Sequence, residues 1–144
     1  MRALTYIILT LLLVGCGSET IQIPEQSEIQ EINICQGRHD CNIGKSMIND
    51  QYIIKKALQE TLKHSQSWQT EPEMALTTGW LTYPTPTDTV AFKGRDNNTL
   101  LVLWFGSGWI GTWQIKEGKH VKFFKRVSAE EVKSLRLTLS MKNP

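Results

Sequence analysis

The apolar positions of this chain follow three rhythms, and each predicts a different kind of segment. From Ala3 to Val14 they run continuously, broken only by Thr5, Tyr6 and Thr10. From Asp50 to about Gln66 they recur at helical spacing: Tyr52, Ile54 beside Ile53, Ala57, Leu58, Thr61, Leu62 and Ser65 share one face. Lys55, Lys56, Gln59, Glu60 and Lys63 lie opposite or at its flanks. That spacing predicts an amphipathic helix over about 50–66, capped by Asn49 or Asp50. A single apolar stripe has to be buried against another layer.

The second half changes to a period of two. "ALTTGWLTY", "DTVAFKG", "NTLLVLWFG", "WIGTWQIKEG" and "KHVKFFKRV" are β-rich runs separated by the turn signals "PTPT", "RDNN", "GSG" and "EGK". Trp109, Gly111, Trp113 and Ile115 fall on one face of their strand, Val121, Phe123, Lys125 and Val127 on one face of the next. "TLLVLWF" does not alternate and reads as a central strand covered on both sides. After the strands, Ser128 followed by Glu131 is a capping-box pattern ahead of Val132, Leu135 and Leu139, which predicts a short C-terminal helix; a last strand through "LRLTL" is the alternative. The fold class expected is α+β: one main helix packed on a four- or five-stranded antiparallel meander, closed by the short helix.

Composition adds little to this. At 144 residues, 40% apolar and 21% charged, the chain has room for one ordinary globular domain. The first apolar run says more. It follows a single positive charge at Arg2, and at roughly a dozen residues it falls short of the ~20 needed to cross a bilayer. This is the layout of a signal peptide. It ends in "LVGC", which resembles the lipobox of bacterial lipoprotein precursors over residues 1–16. Leu13 matches the usual leucine, Gly15 the small residue before the cut, and Cys16 the cysteine that is lipidated and becomes the mature N-terminus; Val14 stands where Ala or Ser is more usual. The resemblance implies a two-chain lipid anchor, worth about 0.8 kcal/mol per buried methylene. With Gly17 rather than Asp after the cysteine, it also implies the periplasmic face of the outer membrane.

From Gly17 to about Asn33 the sequence is polar and acidic, with Glu19, Glu25, Glu28 and Glu31 and no basic residue. It reads as a tether, although isoleucines at 21, 23, 29, 32 and 34 are more than a linker carries and place part of it on the domain surface. Fifteen extended residues at ~3.3 Å each would let the domain stand clear of the headgroups. The expected organisation is a signal peptide at 1–15, a lipidated N-terminus and tether at 16–33, and one domain at 34–144. All Lys and Arg after Arg2 follow residue 33, so the domain carries +5 and the tether −4.

Three cysteines in an exported chain leave one to explain. If Cys16 takes lipid, Cys35 and Cys41 remain, six apart in "CQGRHDC", and in an oxidising periplasm they are expected to join. The spacing is not that of a Cys-x-x-Cys redox pair. Cys35, His39 and Cys41 offer three zinc ligands with no evident fourth nearby, so the staple reading leads and no metal or other cofactor is expected. Arg38, His39 and Asp40 at the loop's tip are a candidate recognition surface, or three solvated turn residues.

"IGKS" at 43–46 resembles the end of a phosphate-binding loop, but the first glycine that loop requires falls on His39 and no apolar strand precedes it. No nucleophile-elbow or zinc-protease motif occurs. Lys116, Lys119, Lys122, Lys125 and Arg126 are expected as an anion-binding patch on an exposed sheet face, or as lysines that keep the sheet soluble. Of five tryptophans, Trp113 is assigned to the core and Trp109, beside Gly106, Gly108 and Gly111, to an exposed hairpin tip fit for an interaction hot spot.

Together these features point to a non-enzymatic binding or interaction domain, within which an inhibitor or immunity lipoprotein is one type. A structural accessory subunit of an envelope assembly is an alternative, and a small envelope hydrolase using His39 and Asp40 is another. The partners implied are the membrane through the anchor and a protein or cell-wall component, with no nucleic acid.

Overall fold

The computed structural model describes residues 20–37, 46–70 and 86–139. The predicted strands at 88–126 form the middle of the molecule. β4 (Asp88–Lys93), β5 (Thr99–Gly106), β6 (Trp109–Lys116) and β7 (Lys119–Arg126) follow one another as an antiparallel meander. β1 (Glu31–Gln36) and β2 (Ser46–Ile48) extend it beyond β4, and β3 (Gln69–Thr70) extends it beyond β7. The sheet is therefore seven-stranded, in the order β2-β1-β4-β5-β6-β7-β3, with antiparallel neighbours throughout. The fold is mixed α+β, as expected, and the count of four or five strands is corrected. β2 and β3 are too short to show a period, and β1 begins inside the acidic stretch. The run at 75–83 lies outside the described residues.

One sheet face is the core side. Ile32, Ile34, Val90, Phe92, Leu101, Leu103, Phe105, Ile110 and Phe123 project from it into a single apolar cluster. Two helices cover it, α1 (Gln51–Lys63) and α2 (Ala129–Thr138). α1 contributes Ile54, Ala57 and Leu58, α2 contributes Val132 and Leu135, and Trp68 fills the space beside them. Each such side chain taken fully out of water contributes about 1.5–3 kcal/mol. β5 is the middle strand of the seven, as its apolar run predicts, and Leu101, Leu103 and Phe105 are its core-facing members.

Both helix starts are chemically specified. The Asp50 carboxylate accepts from the Tyr52 and Ile53 amides at 2.8 and 3.3 Å, satisfying two orphan donors of the first turn. At α2 the capping box is complete: the Glu131 amide donates to Ser128 Oγ (3.2 Å), and Glu131 Oε2 accepts from the Ser128 amide (2.6 Å). Residues 129–138 are thus helix rather than a last strand, and Val132, Leu135 and Leu139 are buried. α1 ends at Lys63, short of the expected 66, and its stripe is narrower than the spacing suggests. Tyr52 and Leu62 are 64% and 52% exposed.

The tether is corrected more substantially. Ile21 and Ile29 are 3% and 1% exposed within the core cluster, the Ile21 amide donates to the Ser65 carbonyl at 3.0 Å, and Gln30 donates to Lys93 at 2.8 Å. The domain accordingly includes residues before 34, at least from Ile21. Glu28 closes a turn by accepting from the Glu25 amide, and Glu31 begins β1, so three of the four supposed tether acids belong to the folded unit. The isoleucines were the relevant signal: apolar side chains at 21, 29, 32 and 34 gain more by burial than a polar linker loses by ordering.

Candidate functional site

Asp88 opens β4 in register with Phe105 and Gln36, which places its carboxylate on the core face at 3% exposure. A carboxylate there needs compensation. Arg136, 4% exposed on α2, supplies it through an ion pair from Nη2 to Asp88 Oδ2. The Thr87 hydroxyl lies 2.9 Å from the same carboxylate oxygen and 3.4 Å from Arg136 Nη2, and the Gly37 amide donates to Asp88 Oδ1 at 3.2 Å. Burial draws the guanidinium's pKa below its ordinary value, but it stays a cation. The result is a charged, hydrogen-bonded knot joining β1, β4 and α2 at one end of the sheet.

Above this knot lies a cleft of about 490 Å³. Ala129, Val132, Lys133 and Arg136 form its helical wall, the turn Gly106–Ser107–Gly108 the opposite wall, and Thr87 its base. The lining carries two cations and no acid, since Asp88 sits behind Arg136. Gly108 takes a positive φ of 76°, which the tight β5–β6 connection needs. On the other side of the same turn, Arg126, Ser128 and Glu131 border a second hollow of about 470 Å³.

Trp109 is not the exposed tip expected of it. It is 1% exposed and packs flat over Gly106, where any Cβ would collide with the indole ring. Gly111 leaves the adjoining space, as a Cβ there would lie 3.1 Å from both the Phe124 and Trp109 rings. Gly106 and Gly111 are therefore recesses for an aromatic side chain. Trp109, Phe124 and the half-buried Trp104 form a small second cluster on the sheet face away from the helices, with Trp109 and Phe124 centroids 5.7 Å apart. Trp113 is half-buried rather than core, with its ring centroid 4.7 Å from that of exposed His120.

The basic set does not form one patch, because strand alternation divides it. Lys116 and Lys119 are cross-strand partners beside the Glu117–Gly118 turn, on the face that carries Phe123, and Lys116 Nζ lies 4.9 Å from the Phe123 ring centroid. Lys125 shares that face and donates to the Gln66 carbonyl at 2.8 Å. Lys122, opposite Trp113, and Arg126, opposite Trp109, project from the other face. His64, 6% exposed, caps α1 and holds Nδ1 4.0 Å from Glu131 Oε1. Burial, outweighing Glu131, lowers its pKa.

Cys35 is 3% exposed on β1 and disulfide-bonded, which removes its sulfur from any zinc set. Its partner lies outside the described residues, as do Cys16, Arg38, His39, Asp40 and Cys41. Sequence reasoning missed Thr87, Asp88 and Arg136. The signal for Arg136 was present: with Val132, Leu135 and Leu139 it completes one apolar face of α2, so a charge stood where a core residue belonged. No protein-family model, curated protein or solved structure matches the chain.

Proposed function

We propose that this chain is a lipoprotein of the bacterial envelope, acylated at Cys16 and held at the periplasmic face of the outer membrane, whose domain binds a protein or cell-wall component without catalysing a reaction. The observation that carries the binding reading is the cleft beside α2. Its volume falls in the ~300–1,000 Å³ range of ligand sites. Its helical wall is held to the sheet by the Asp88–Arg136 pair, so little ordering cost falls on binding. With the Arg136 charge compensated by Asp88, the exposed cation of the lining is Lys133, which favours an anionic group on the partner, such as a carboxylate of wall peptide or an acidic side chain. The signal-peptide pattern and lipobox support the location.

The test is affinity capture from detergent-solubilised envelope with the lipidated chain and with Ala129→Trp, which fills the cleft from an exposed first-turn position. A partner recovered with the parent chain and lost with the variant supports the reading. Equal recovery with both removes the cleft from it. Mass spectrometry of the mature chain checks the anchor: an N-terminus other than acylated Cys16 overturns the location.

A further inference from the structure

We infer that the domain stands on the membrane on its β6–β7 tip, with Ile115, Lys116 and Lys119 against a bilayer bearing anionic phosphate headgroups and the cleft facing away. This rests on the lipid anchor at Cys16. Reach limits how the domain can sit. Ile21 is locked into the core and the Gln22 carbonyl accepts from the Gln114 side chain at 3.0 Å. Gln22 also borders the crevice lined by Trp113 and Ile115. Only residues 17–21 separate Cys16 from that point, so at ~3.3–3.6 Å per residue the lipidated cysteine lies at most ~22 Å away. A long tether would leave orientation undetermined. This short one keeps Gln22 within ~22 Å of the acylated cysteine, so the end of the domain that carries Gln22 is the end nearest the membrane.

The chemistry of that neighbourhood suits a membrane surface. Ile115 is 63% exposed, one of few large apolar side chains so exposed among the described residues. At the turn Lys116 and Lys119 face each other on the opposite face, Lys122 lies on Ile115's own face opposite Trp113, and Glu117 is the one acid of the tip. An apolar side chain on one face of the hairpin end, with Lys116 and Lys119 on the other, gives the tip an apolar and a cationic contact side by side, which suits an interface where hydrocarbon lies beneath phosphate. The short type I′ turn, with Glu117 and Gly118 at φ of 50° and 75°, makes this a firm point of contact.

The two ends of β6 differ in what they carry. Its far end, Trp109, adjoins the Gly106–Gly108 turn that walls the cleft. Eight residues at ~3.3 Å put this end roughly 23 Å from Lys116. Anchoring at one end of the strand presents the other to the periplasm.

The test places an environment-sensitive fluorophore on lipidated full-length chain at Ile115→Cys or, as the opposite end, at Ser107→Cys, in vesicles of phosphatidylethanolamine with one quarter phosphatidylglycerol. A blue shift at position 115 and none at 107, reduced at least twofold by Lys116→Glu with Lys119→Glu, is the expected result. Equal shifts at both positions, a shift at 107 alone, no shift at either, or indifference to the charge reversals overturns the orientation. The acyl mass of the same sample is measured first, so that a missing lipid counts against the anchor and an unshifted lipidated chain against the seating.

Discussion

Arg136 and Asp88 form an ion pair with both side chains at least nineteen-twentieths buried, 4% and 3% exposed, tying the C-terminal helix to the first residue of a central strand. Two desolvated charges in contact are stabilising only relative to one left alone. Removing either partner, by Arg136→Met or Asp88→Val, should therefore lower unfolding stability by about 3–5 kcal/mol. The double variant should recover much of that loss, because it leaves neither charge stranded. Urea unfolding of the four proteins measures the coupling. Single losses that simply add in the double variant would show that the two charges do not depend on each other.

Gly106 and Trp109 face each other across the end of the β5–β6 hairpin, and the indole occupies the space a β-carbon would need. Gly106→Ala is expected to eject the ring from its contact with Phe124 and to cost about 1–3 kcal/mol, the range for overpacking. Tryptophan emission should shift to the red as the indole meets water. Gly111→Ala should be milder, because its new methyl would lie 3.1 Å from the nearest ring atoms, a clash of tenths of an ångström. A Gly106→Ala protein with unchanged emission and melting temperature would refute the packing role.

His64 and Glu131 divide the acid side of the stability profile between them. Burial depresses the folded pKa of His64 below its ordinary 6.5, so as pH falls through that value the unfolded chain takes up a proton that the folded chain resists. Stability from this group is complete above about pH 6.5 and declines as acid is added, by no more than about 1.4 kcal/mol per pH unit for one proton. Glu131 is shifted down chiefly by hydrogen bonding from the Ser128 amide, then from its hydroxyl. Its contribution is present above pH 4.5 and is lost only as pH falls below that value. Thermal melts from pH 8 to 3 should show both declines. His64→Gln is expected to flatten the upper window alone, and Ser128→Ala to weaken the lower one while costing about 1 kcal/mol at neutral pH as a lost cap. An upper window that survives His64→Gln would assign it to another group.

What the sequence made legible follows from how each element is specified. α2 was readable from Ser128 and Glu131 because a capping box is a local hydrogen-bond pattern, and the meander from β4 to β7 because each strand runs six or more residues, alternating in β6 and β7 and unbroken and apolar in β5. β2 and β3 carry no period at three and two residues; partners across the sheet create them. The role of Trp109 was misread because a glycine beside an aromatic looks the same in sequence whether it turns the chain or makes room for a ring. Of the cleft, only the anomaly of Arg136 on an apolar stripe was visible. Asp88 lies some fifty residues earlier, and nothing local pairs the two.

The disulfide at Cys35 lies two residues before Gly37, whose amide donates to the Asp88 carboxylate. If Cys16 is acylated, as proposed above, Cys41 is the one cysteine left to pair with it, and the loop so closed would contribute about 2 kcal/mol on chain-entropy grounds. Gly37, at a φ of 68°, starts that loop in a conformation only glycine holds cheaply. Reduction should therefore do more than release loop entropy: it loosens the segment that supplies one of the hydrogen bonds to Asp88. The expected result is that dithiothreitol lowers the stability of the parent chain by more than that of the Asp88→Val, Arg136→Met double variant, which has no carboxylate for Gly37 to serve. Equal losses in the two proteins would mean that the staple acts on the unfolded chain alone, independently of the buried pair.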